Sequence, residues 1–121
     1  GIAVRVTQPS VGTDSYSGYL VFYDTNVNTF TIARGEYAYQ QLASTTISDG
    51  LNSNQWYRMT IRVKDNKIET TLETEEGTEI ASLTFKDPYN SFPTGMVALR
   101  SFAGTASWKD ITIREIKPFG K

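Results

Sequence analysis

Asp14, Tyr16 and Tyr19 share one polar stretch, residues 6–19 (VTQPSVGTDSYSGY), set between two alternating apolar runs. Pro9, Gly12 and Gly18 mark it as a connection. A carboxylate beside two phenol rings is chemistry suited to a sugar: the ring face takes the C–H patch of a hexose, and the carboxylate accepts from its hydroxyls. A second loop, residues 35–39, adds Glu36 and Tyr37. Further along the chain, Arg5, Arg100, Trp108 and Asp110 alternate with apolar neighbours, so they would share the outward face of strands that carry Val4, Val6, Val97, Leu99, Ile111 and Ile113 inward. Arginine offers a rigid fork of donors to vicinal hydroxyls, and with Tyr19 and the Trp108 indole this makes a shallow polar and aromatic surface, better matched to a polyol than to an apolar ligand. A solvated sheet face with chance ion pairs is the plainer alternative.

The residues that are missing narrow the chemistry. The chain contains no histidine and no cysteine. That removes imidazole bases, Ser-His and Cys-His pairings, thiolate metal sites and disulfides. Carboxylate pairs are the remaining catalytic option, since glycoside hydrolysis needs only two; Asp14 with Glu36, or Asp14 with Asp110, are the candidates. Glu73, Glu75, Glu76 and Glu79 read as a solubilising hairpin tip. No cofactor is indicated. A structural calcium ion is open in one way, through Asp110, although no D-x-D-x-D loop accompanies it.

The elements that must position these groups are short strands. Residues 1–7 alternate from the first residue, which suggests that upstream sequence or a partner strand completes the sheet. Residues 18–24 place Leu20 and Phe22 on one face and Tyr19, Val21 and Tyr23 on the other, both apolar. Residues 29–34, 39–47, 56–64, 67–74, 80–85, 95–102 and 105–116 follow, with Asp65-Asn66 and Glu75-Glu76-Gly77 as turn signals and two prolines breaking residues 86–94. Eight or nine strands without helical periodicity predict an all-β fold, an antiparallel β-sandwich, with a closed barrel as runner-up. The 121 residues make one domain, 1–121, with no internal repeat.

The charge balance, 12 basic against 13 acidic residues dispersed along the chain, offers nothing to track a phosphate backbone, so nucleic acid is not an expected partner. No apolar run approaches the length of a membrane span. Tyrosine is abundant, seven residues, several beside glycine or polar neighbours where a core ring would be out of place.

Three segments carry a family resemblance: RVTQPSVGTDSYSGY (5–19), QWYRMTI (55–61) and GMVALR (95–100). They resemble family-66 carbohydrate-binding modules, which are concanavalin A-like sandwiches attached to secreted bacterial glycan hydrolases. The likeness runs over nearly the whole chain; the first segment is specific, the others are shared with laminin-G-like sandwiches and related sugar hydrolase domains. It implies a jelly-roll sandwich and a non-catalytic module gripping a terminal sugar, fructose in the founding case, as part of a larger extracellular or cell-surface enzyme. Asp14, Tyr16, Tyr19 and Arg100 match its binding positions, Glu36 and Tyr37 loosely. The chain departs from the pattern in lacking the usual first strands and in reading Tyr19-Leu20-Val21-Phe22 where a second tyrosine often follows the first. Two other roles compete with glycan binding: a structural sandwich packed on a catalytic domain, and a sugar hydrolase domain of the same fold.

Overall fold

In a computed structural model, residues 1–7, 17–36, 39–88, 96–99 and 108–113 are described. They form strands β1 (Ile2–Thr7), β2 (Ser17–Asp24), β3 (Thr29–Glu36), β4 (Tyr39–Thr46), β5 (Tyr57–Lys64), β6 (Lys67–Thr74), β7 (Glu79–Lys86) and β8 (Met96–Leu99). Two antiparallel sheets result, one ordered β4-β3-β2-β1-β8 and the other β5-β6-β7. The expected all-β, antiparallel β-sandwich is therefore the fold. β1 to β4 and β5 to β7 are meanders of consecutive hairpins, β8 returns to the larger sheet beside β1, and the described strands change sheets only between β4 and β5 and between β7 and β8. No helix among the described residues is long and apolar enough to cross a membrane.

Period-two patterning builds the core. Tyr19 and Val21 of β2, Phe30 and Ile32 of β3, and Ile68 and Leu72 of β6 meet between the sheets, with Tyr57, Met59, Ile61 and Val63 of β5 packed against them. The alternation in β5 is complete, half-buried residues interleaved with exposed ones along all eight positions. Turn chemistry sets the registers. Asp65 takes a left-handed φ of 54° between the paired Lys64 and Lys67, and Gly77 a φ of 95° in the β6–β7 turn.

The first strand breaks the alternation. Ile2 and Val4 face the inter-sheet core, whereas Val6 joins Ala3 and Leu20 in a separate cluster on the other side of the sheet. Arg5 is the cause: its φ is 51°, and the register with β2 shifts between Val4 and Thr7. Such a bulge adds one residue to the strand and reverses the facing of everything after it. The expectation that Val4 and Val6 point the same way is thus corrected. Two further expectations fail: Ile111 and Ile113 are 55 % and 70 % exposed instead of buried, and residues 108–113 form no strand. Val97, also expected inside, is exposed. The burial of Leu99 lies outside the described residues.

Opposite the bulge, Gly18 lets β2 approach β1. A Cβ there would sit 3.0 Å from the Val4 carbonyl oxygen and 3.1 Å from both the Arg5 carbonyl oxygen and the Val6 Cα. All three are backbone atoms and cannot swing aside. Gly18→Ala is expected to cost about 1–3 kcal/mol, read as a lowered urea midpoint with unchanged slope; an unaltered midpoint would show that the bulge is not held by this contact.

Candidate functional site

The β1–β2, β3–β4, β5–β6 and β7–β8 connections all leave from one end of the sandwich, because antiparallel pairing puts Thr7, Ser17, Glu36, Tyr39, Lys64, Lys67 and Lys86 there. Beneath these loops lies a polar network that joins the two sheets. Asp87, fully buried just beyond β7, accepts a 2.6 Å hydrogen bond from the Tyr19 hydroxyl. The Arg34 guanidinium, from β3, stands 3.9 Å from the same carboxylate oxygen, Oδ2. Arg34 also donates to Gln40 Oε1 at 2.5 Å. The backbone N–H of Asp87 donates to the Asn66 carbonyl at 2.7 Å, and Arg5 donates to the Asp65 carbonyl. The β5–β6 turn is thereby fastened to both β1 and the end of β7. A buried carboxylate is tolerated only when charge and donors satisfy it, and here a phenol, a guanidinium and the fold around them do so. No buried side-chain nitrogen or oxygen among the described residues lacks a partner.

These contacts reassign several predicted site residues. Tyr19 is 1 % exposed and belongs to the core, so its ring cannot serve as an outward sugar platform. Its period-two facing was legible; what it meets, a carboxylate from the opposite sheet, was not. Arg5, placed by alternation on an outward face, is turned by the bulge toward the β5–β6 hairpin. Trp108 and Asp110 belong to the opposite end. Their neighbour Lys109 pairs with Glu75 at 2.9 Å in the β6–β7 turn and lies 4.6 Å from the centroid of the Trp56 ring. The eight residues of β6 separate that turn from the Asp65 turn by about 25 Å. Arg5 and Tyr19 therefore do not share a surface with Trp108 and Asp110. Asp110 is exposed, and the described residues contain no group of three acidic side chains able to hold a metal ion. Glu36 ends β3 opposite Ser17. Asp14, Tyr16, Tyr37 and Arg100 lie outside the described residues, as does the side chain of Glu36.

Tyrosine richness also has a structural origin. The Tyr23 hydroxyl donates to Asn28 Oδ1 at 2.8 Å and accepts from the Leu51 N–H at 3.1 Å, while Tyr57 accepts from the Asn52 N–H at 2.8 Å. With Tyr19, three of the four described tyrosines use their phenols to fasten turns or sheets.

Tyr39 differs in its exposure. It begins β4 at the loop end, is 49 % exposed, and packs edge-on against Phe22 with ring centroids 6.2 Å apart. Gly35 pairs with Tyr39 on one side and Gly18 on the other, and Ala33 lies between Leu20 and Gln41; Gly18, Leu20, Ala33 and Gly35 are all buried, so the exposed part of this face is its β4 edge, at Tyr39 and Gln41. Gln41 is exposed on the same face, whereas Gln40 turns to the other side of the strand, where it meets Arg34; Thr31 and Ser44 pair through their hydroxyls at 3.0 Å further along the sheet. A half-exposed ring with an exposed amide on the same face can stack on a pyranose or furanose and bond its rim. Tyr39 had been legible only as one of two tyrosines in the second loop; its isolation from the core pattern, next to Gly35, was the available signal. Among the described residues no catalytic carboxylate pair is assembled here, and Asp87, the buried acid, is enclosed by its partners.

Compared with known protein families, curated proteins and solved structures, the chain matches none.

Tyr19→Phe is expected to lower stability by about 1.5–3 kcal/mol, the scale for losing a hydrogen bond to a charged acceptor. In a double-mutant cycle with Asp87→Asn, measured by urea unfolding, the two effects should be strongly non-additive; additivity would show that the phenol and the carboxylate act independently.

Proposed function

We propose that this domain is a non-catalytic carbohydrate-binding module that holds a glycan for a glycoside hydrolase to which it is attached, in an extracellular or cell-surface setting. The observation that carries the reading is Tyr39: an aromatic ring left half in solvent at the loop end of the larger sheet, on the edge strand and on the same face as the exposed Gln41. The resemblance of residues 5–19, 55–61 and 95–100 to family-66 modules supports the same reading, and terminal fructose of a fructan is the first ligand to try. A chain without imidazole or thiol, whose buried carboxylate is already engaged, suits binding better than bond cleavage. Calcium is not needed by any step of this reading.

A second reading has its own support. Ile111 and Ile113 expose adjacent apolar side chains near the Trp56 end, as a sandwich packed on a catalytic domain would. The two readings diverge in a gel containing soluble glycans. Retardation that Tyr39→Ala weakens about tenfold, in keeping with 1–3 kcal/mol for lost stacking of a ring on an aromatic side chain, supports glycan binding. Wild-type mobility unchanged by every neutral glycan tried, fructans included, would leave the packing role.

A further inference from the structure

The smaller sheet turns its second face to solvent, and there the register sorts side chains into rows. Arg58 lies opposite Glu73; Thr60, Thr71 and Ser82 align; Arg62, Glu69 and Thr84 align; and Lys64, Lys67 and Lys86 stand side by side across all three strands. The three lysines are exposed, as are Arg62, Glu69 and Thr84. Adjacent strands are about 4.8 Å apart, so the ammonium row crosses roughly 10 Å. Like charges directly opposite one another in a sheet are destabilising. Among the described residues only Lys67 of the three has an ion pair, with Glu69 at 3.4 Å, while Lys64 and Lys86 have none. The acidic groups facing this surface are Glu69, Glu73 and its β7 partner Glu79, with Asp65 in the adjoining turn. On the strands themselves five cations meet three carboxylates, an excess of two positive charges on a chain whose net charge is −1, and the carboxylates Glu73 and Glu79 stand at the end of the face away from the lysine row.

We infer that this ladder is a binding surface for a carboxylated polysaccharide. The lysine row supplies point charges for sugar carboxylates, and the parallel row of Thr60, Thr71 and Ser82 offers hydroxyls that both donate and accept, as sugar hydroxyls do. A nucleic acid fits less well: duplex phosphates fall every ~1.7 Å along the axis, a charge density that a face with three carboxylates among five cations does not match. A membrane surface fits less well too, since the described residues of this face include no aromatic or aliphatic side chain to enter the headgroups. The surface is separate from the Tyr39 face and does not depend on it.

Isothermal titration with oligogalacturonate tests the inference. Wild type should bind, and K64Q/K86Q should raise Kd roughly fivefold or more, while K64R/K86R retains binding. Binding should weaken as salt rises from about 50 to about 300 mM. K64Q/K86Q should melt at or above the wild-type temperature, because it relieves the like-charge row without touching the Lys67–Glu69 pair; this shows that the variant is folded. Tyr39→Ala should bind oligogalacturonate as wild type does, so failure of the neutral-sugar site leaves this surface standing. No binding, equal Kd for wild type and K64Q/K86Q, insensitivity to salt, or tighter binding of a short DNA duplex than of oligogalacturonate at the same ionic strength would overturn it.

Discussion

A phenol from one sheet and a carboxylate from the other meet at 2.6 Å, and the arrangement of the loop end follows from that contact. Asp87 is enclosed between the sheets, so its charge must be answered from within. Tyr19 answers it from β2, Arg34 approaches from β3, and the Asp87 backbone ties to Asn66 in the β5–β6 turn. Removing one of these leaves a charge short of partners in a low-dielectric gap, which is costlier than the bond alone suggests. The network therefore fixes how the two meanders lie against each other where their loops leave.

Much of this architecture was legible beforehand because it rests on local rules. Period-two alternation puts Phe30 with Ile32, and Tyr57, Met59, Ile61 and Val63, on one face, as the core has them, and Asp65-Asn66 announced its hairpin. What escaped was non-local. Arg5 adopts a left-handed conformation uncommon for a residue with a long side chain, and that single bulge reverses Val6 and sends the guanidinium to the opposite sheet. Period-two reading has no means of seeing an inserted residue. Tyr19 was assigned to the correct strand face, but whether that face met solvent or another sheet depended on Asp87, 68 residues away. Trp108 and Asp110 were grouped with Arg5 on the assumption of a last strand in residues 105–116, whereas Lys109 ties this segment to Glu75 and Trp56 at the other end.

Exposure separates the tyrosine rings of the core and turns from the ring at the sheet edge. Tyr19, Tyr23 and Tyr57 each give the hydroxyl to the protein. Tyr39 leaves half its surface in solvent at the edge strand of the larger sheet. The two proposed surfaces lie on opposite sides of the sandwich and use different physics: stacking and amide hydrogen bonds on the larger sheet, fixed charge on the smaller one. A module with both could hold a neutral chain end and an acidic polymer independently.

The central claim is that the glycan-binding face is organised by Tyr39 and that the Tyr19–Asp87 network only supports it. Backbone amide shifts followed by NMR during titration with neutral fructan and other neutral oligosaccharides test this directly. The account predicts saturable shifts concentrated in residues 34–41 and at Phe22, with the β5 and β6 amides unmoved. Shifts confined to the Trp56 and Lys109 end, or none with any neutral oligosaccharide, would contradict it.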